Sequence, residues 1–135
     1  MNANSAEPMI LGCEQCRKPP AAQNDLILEY SRSLYLESQE GYDLYRCPFC
    51  GQMYLEQYFD TIDWVGGEDD LWQRWMPLTS DELAEVNQLF PREATDYDEV
   101  PRLTALMHRR GRLTKDPEGE FFWAELPGVQ AGCLN

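Results

Sequence analysis

Hydrophobic and polar positions alternate with two different periods along this chain, and the change of period divides it. Between Leu26 and Leu78 the repeat is two residues. Leu26, Leu28 and Tyr30 alternate with Ile27 and Glu29; Leu34 and Leu36 alternate with Tyr35 and Glu37; Tyr42, Leu44 and Arg46 make a third short run. Successive side chains of a strand point to opposite faces, so this pattern predicts half-buried strands. The turn signal "SQEG" at 38–41 predicts a hairpin that pairs 34–37 with 42–46. Residues 52–64 read as a longer strand, rich in aromatic and β-branched residues and ended by Gly66 and Gly67. Residues 71–78 read as a short returning strand stopped by Pro77. Along 52–64, Tyr54, Glu56, Tyr58, Asp60 and Ile62 share one side, and Leu55, Gln57, Phe59, Thr61 and Asp63 the other.

After Pro77 the period becomes helical. Thr79 followed by Glu82 is a capping box; Leu83, Val86, Leu89 and Phe90 form the apolar stripe, and Pro91 closes the helix. The acidic stretch "REATDYDE" reads as a loop. A second helix is expected over 100–110, with Pro101 in its first turn and Leu103, Leu106 and Met107 along one side. His108, Arg109 and Arg110 fall in its last turn, where positive charge is favoured, and Gly111 is the expected left-handed residue beyond it. "RLTKDPEGEFFWAEL" predicts a hairpin turning at "DPEG". The expected fold is therefore α+β: an antiparallel sheet, two helices and a C-terminal β-hairpin. Residues 1–77 form the sheet half and 78–135 the helical half, packed as one domain. Residues 1–12 lack periodicity, and the chain has no internal repeat.

The five cysteines add chemistry to this outline. Four form two pairs, Cys13 and Cys16 in "CEQC" and Cys47 and Cys50 in "CPFC", with thirty residues between the pairs. A two-residue gap lets one tight turn aim both sulfurs at a single ion, and two such turns complete a tetrahedron. Thiolates select zinc or iron over magnesium or calcium. Four of them leave no open position for water, so the expected cofactor is a structural Zn2+. Its loss should unfold at least the half it ties together. A redox pair would sit at a strand-to-helix junction, whereas Pro19 and Pro20 follow the first pair and oppose a helix. Cys133 reads as a bystander thiol near the C-terminus.

With Pro48 shaping the turn and Gly51 after the last ligand, "CPFCG" resembles the second knuckle of the zinc-ribbon group. The resemblance covers residues 13–51 and implies a zinc-ribbon-like sheet around the ion. The same motif is similar to that of rubredoxin, which implies an iron electron carrier as an alternative. Arg17 and Lys18 stand where rubredoxin usually has Gly and an aromatic residue.

Composition narrows the function. Hydrophobic residues make up 43% and charged residues 26%, a globular balance. The net charge is −13, and residues 61–100 hold 11 acids against 2 bases. Such a field repels phosphate backbones and attracts basic proteins. No stretch approaches the ~18 apolar residues of a membrane span, and "MNANSAEPMILG" has no basic residue of a secretory leader. The chain is expected in the cytoplasm, where paired cysteines favour metal over disulfides. No catalytic constellation emerges: the single histidine, His108, sits at a helix end, and Ser31, Ser33, Ser38 and Ser80 lie in turn or cap contexts. "WVGGED" is too short and too acidic for a phosphate loop. The chain is expected not to be an enzyme.

For partners, two readings compete. Arg102, Arg109, Arg110, Arg112 and Lys115 cluster near a possible wing, which would suit a zinc-ribbon regulator of nucleic acid or the transcription and translation machinery. The overall acidity opposes that reading. The favoured one is a protein-binding surface over 56–75, on Glu56, Asp60, Asp63, Trp64, Glu68, Asp69, Asp70, Trp72 and Trp75. Aromatics there supply contact area, and carboxylates steer and pair with a basic protein partner. In size, acidity and thiol content the chain resembles small acidic bacterial immunity proteins and antitoxins. That resemblance implies neutralisation of a basic toxin by occlusion.

Overall fold

A computed structural model describes residues 11–37, 39–63, 68–94 and 96–124, giving only the backbone at 61–63, 68 and 69. Trp64, Gly66, Gly67 and Cys133 lie outside the described residues. Six strands form one antiparallel sheet in sequence order: β1 Glu29–Leu36, β2 Glu40–Arg46, β3 Met53–Asp63, β4 Glu68–Pro77, β5 Arg112–Lys115 and β6 Phe121–Ala124. Three helices accompany it among the described residues: α1 Glu14–Arg17, α2 Ser80–Leu89 and α3 Val100–Leu106, with a 3-10 turn at Gln23–Asp25. The fold is α+β, and the C-terminal hairpin is β5–β6. None of these helices is long and apolar enough to cross a membrane.

The first hairpin sits where the turn signal puts it, with Tyr35 opposite Tyr42 and Leu36 opposite Gly41. Its first strand differs from expectation. The alternation at Leu26, Leu28 and Tyr30 does not make a separate strand; β1 starts at Glu29 and carries two register shifts, at Tyr30/Arg32 and Ser33/Tyr35. A bulge turns consecutive residues toward the same layer. This is why Leu34 and Tyr35 both enter one core. β4 is also longer than its apolar run suggests, because acidic residues 68–70 continue the pairing with β3 to Asp63↔Glu68.

The helices obey their signals more closely at the start than at the end. Thr79 Oγ1 accepts from the Glu82 N–H at 3.1 Å, and Glu82 Oε1 accepts from the Thr79 N–H at 2.9 Å, closing the capping box. Val86 and Phe90 are buried. α3 stops at Leu106 rather than 110. Its exit tightens through bonds to the third residue back, from His108 N–H to Ala105 O and from Arg109 N–H to Leu106 O. Gly111 is not left-handed; the only positive φ values among the described residues are at Gly12, Gly51 and Gly119. The tight exit directs Arg109 and Arg110 back to Glu82 on α2, at 3.0 and 2.7 Å. Burial pushes the Glu82 carboxyl up, but the Arg110 bond, the Thr79 N–H and Arg109 outweigh it and hold it at about 2.

The sheet has a packed layer on each face. One core holds Leu34, Tyr42, Leu44, Leu55 and Met76 from the strands against Leu78, Val86, Phe90, Val100, Leu103, Leu106 and Met107 from the helical segment. The opposite face buries Cys16, Leu28, Cys47, Tyr54, Trp75 and Leu113. The sheet runs on past residue 77, since β5 pairs with β4 from Gln73↔Lys115 to Trp75↔Leu113.

Candidate metal centre

The sulfurs of Cys13, Cys16, Cys47 and Cys50 lie within 4.8 Å of one another. The Sγ–Sγ separations are 3.8 Å for Cys13–Cys16, 3.8 Å for Cys13–Cys47 and 3.9 Å for Cys16–Cys50. A disulfide would need about 2.05 Å. A tetrahedron with metal–sulfur bonds of about 2.3 Å has edges of about 3.8 Å, so the four positions fit one ion.

Local backbone geometry explains how the two pairs meet. The first closes as one turn of helix, with Cys13 at the N-cap and its N–H donating to Cys16 Sγ at 3.2 Å. Gly12 precedes it at φ +85°, and a Cβ there would lie 2.9 Å from both Cys16 Sγ and the Tyr54 hydroxyl. Only glycine admits that approach without displacing one of them. The second pair turns before β3. The Phe49 N–H donates to Cys47 Sγ at 3.3 Å, the Gly51 N–H donates to Cys47 O at 2.9 Å, and Gly51 takes φ +82°.

The protein also supports the sulfurs from outside the tetrahedron. The Tyr54 hydroxyl, buried in the sheet, donates to Cys16 Sγ at 3.0 Å. Burial raises the Tyr54 pKa, so its proton stays available as a donor. The Gln52 side chain accepts from the Gly12 N–H at 3.0 Å and donates to Met53 O and Leu78 O at 2.8 and 2.7 Å. One amide thus joins the first knuckle to the entry of α2. The backbone N–H of Cys16 leads the effects that hold the Cys13 thiol down at about 7. Burial pushes Cys16 up to about 12 and also raises Cys50. Thiols so placed do not all ionise unaided; a cation among them changes that.

The proposed docking residues scatter. Glu56 and Trp75 face each other across β3 and β4 and are only 2% and 0% exposed, so neither belongs to a partner surface. The cause is the sheet order. β5 adds to β4 and makes it an interior strand, and Phe121 of β6 stacks on Trp75 at 6.1 Å. Asp60 and Trp72 are half-buried, and Trp72 stacks on Phe59 at 6.5 Å. Asp70 is exposed. Asp63, Glu68 and Asp69 occupy the far rungs of β3 and β4.

Burial raises Glu56 to about 8, and the neighbouring Asp43 adds to the rise despite the Gln73 amide that donates to Glu56 Oε2 at 2.9 Å. Sequence reasoning did not single out Gln52, Tyr54 as a sulfur donor, or Glu82 as an arginine clamp. Only the capping box marked Glu82 at all. In the basic cluster, Arg102 pairs with Glu99 at 3.3 Å, while Arg109 and Arg110 pair with Glu82.

No protein-family model, no curated protein and no solved structure matches the chain.

Proposed function

We propose that this is a zinc-held, non-catalytic binding protein of the cytoplasm. It docks a basic protein partner on an acidic arm, in the manner of an immunity protein or antitoxin neutralising a basic toxin. The carrying observation is the strand register. β2 accompanies β3 only as far as Phe59, and β5 accompanies β4 only as far as Gln73, yet β3 and β4 pair on to Asp63↔Glu68. The end of the hairpin therefore has no neighbouring strand on either side among the described residues. It carries Asp60, Asp63, Glu68, Asp69 and Asp70, and no lysine or arginine occurs from 60 to 73. Carboxylates set on a two-stranded ribbon speed encounter with a basic surface and set its orientation. The arm replaces the broader surface expected over 56–75, since Glu56 and Trp75 belong to the core.

Zinc is the ion this reading assigns to the cysteines, supported by four thiolates at tetrahedral spacing. Metal analysis of the purified protein should give one zinc per chain. One iron per chain, with a red colour, would replace the reading by an electron carrier. For docking, the full chain is immobilised and exposed to an extract of its own cells. A second sample carries Asp60→Asn, Asp63→Asn, Glu68→Gln, Asp69→Asn and Asp70→Asn together. The expected result is one basic protein retained at low salt, released by raised salt and not held by the variant. Equal retention by both samples would reject the arm as the docking site.

A further inference from the structure

Four of the nine described arginines have a side-chain polar partner inside the molecule, and Arg17, Arg46 and Arg92 are exposed to solvent. Arg109 and Arg110 share Glu82, Arg102 takes Glu99, and Arg32 donates to Asn87 Oδ1 at 2.9 Å and to Phe90 O. Arg74 and Arg112 differ from both groups, being shielded from solvent yet without a partner for the guanidinium. Neither guanidinium has a hydrogen bond or ion pair to any described residue, although the protein is strongly acidic. Arg112 is only 8% exposed, and its Nε is buried with no acceptor.

The two belong to one site. Arg74 lies opposite Thr114 in the β4–β5 register, and Arg112 is two residues from Thr114, so both side chains share the helical face of the sheet. The Arg74 guanidinium carbon lies 5.0 Å from the Phe59 ring centre and 5.8 Å from that of Trp72, contacts that give its N–H groups no acceptor. Beside it, Gln57 Nε2 donates to the Tyr42 hydroxyl at 2.9 Å, and that hydroxyl bonds Thr104 Oγ1 at 2.8 Å. Burial lowers the pKa of both arginines, and the charge of Arg112 lowers Arg74 further. Two adjacent, partly desolvated cations without a carboxylate are unfavourable in the free protein. An oxyanion between them would supply the missing acceptors and remove the repulsion.

We infer that Arg74 and Arg112 form an anion site that takes the phosphate or carboxylate group of a small molecule. Arg112 supplies the buried charge, and Arg74 offers a guanidinium fork seated over the Phe59 and Trp72 rings. A long polyanion is disfavoured by the −13 net charge, whereas one small anion brings little repulsion.

Thermal unfolding and calorimetry of the purified full chain test the site. Inorganic phosphate and acetate serve as probes against sodium chloride at equal ionic strength. The wild type should gain a saturable rise in melting temperature from phosphate or acetate and none from chloride; the better probe assigns the class. Arg112→Met should melt higher than wild type in chloride alone, because it removes an uncompensated charge, and should lose the probe's effect. Arg74→Lys should bind about tenfold more weakly, the loss expected for a charged hydrogen bond. Arg102→Gln, at an exposed pair, should leave binding unchanged. The site is refuted if chloride stabilises as well as both probes do. It is equally refuted if Arg112→Met melts lower than wild type in chloride, the mark of a structural arginine. Should that variant fail to fold, unchanged probe binding by Arg74→Lys refutes the site by itself.

Discussion

The helical face of the sheet closes on a broad apolar core, whereas the cysteine face closes around four sulfurs. Thirteen buried residues make the first core, drawn from four strands and both long helical segments. Six make the second, and two of those six are Cys16 and Cys47. Beside this smaller core, 11–28 contributes only one short helix and one 3-10 turn. The difference teaches that the same sheet has one face closed by a large apolar core and one closed by a smaller core built around four clustered sulfurs.

The sharpest way to break that contrast is Cys47→Ser, which removes a fully buried ligand. It should eliminate stoichiometric zinc and lower unfolding free energy by at least about 4 kcal/mol, read by metal analysis and urea denaturation. Unchanged stability would mean that the cysteine face needs no ion. The complementary cut is Leu103→Ala, at a site with 0% exposure in the helical core. The expected loss is about 3 kcal/mol with zinc content unchanged. Loss of zinc in that variant would show that the two faces are not separable.

A smaller effect concerns Glu56, buried between the strands next to Asp43. Folded, its carboxyl stays protonated up to about 8; unfolded, it ionises near 4.5. The folded chain therefore holds the extra proton between these values, and stability should fall as pH rises through that window and then level off. Glu56→Gln should flatten the profile and gain about 2 kcal/mol on wild type between pH 5 and pH 8. Parallel denaturation profiles for the two proteins would refute the assignment. The smallest effect is expected from Tyr54→Phe, which deletes the hydroxyl bonded to Cys16 Sγ. A cost of about 1 kcal/mol is expected in the metal-loaded protein. With cobalt in the site, the thiolate-to-metal absorption should also shift, since one sulfur loses a donor. An unmoved spectrum would show that the hydroxyl has no hold on the centre.

What the sequence disclosed was local. The four cysteines, the Thr79–Glu82 capping box and the "DPEG" turn each carry their geometry within a few residues, and the structure places all three as expected. What it hid was long-range. Nothing in the period of "LWQRWMP" tells that a strand forty residues later will pair with it, so Trp75 and Glu56 read as surface and are core. The same pairing sets Arg112 beside Arg74, a juxtaposition with no trace in spacing. Gln52 is similar: an ordinary polar residue after a knuckle, defined only by the two distant groups it meets, Gly12 and Leu78. The bulges of β1 were hidden for another reason. A doubled apolar pair such as Leu34–Tyr35 satisfies either face of a strand until its neighbour fixes the register.

The four sulfurs are unequally sheltered: Cys16 and Cys47 are sealed in, while Cys50 lies at the surface beside Phe49, itself 65% exposed. A cage open on one side has a preferred door. With an ion inside, a chelator, a competing metal or an oxidant would meet Cys50 first and unfasten the ligands from that corner inward. The lifetime of the loaded state would then be governed by one loop rather than by the stability of the whole molecule.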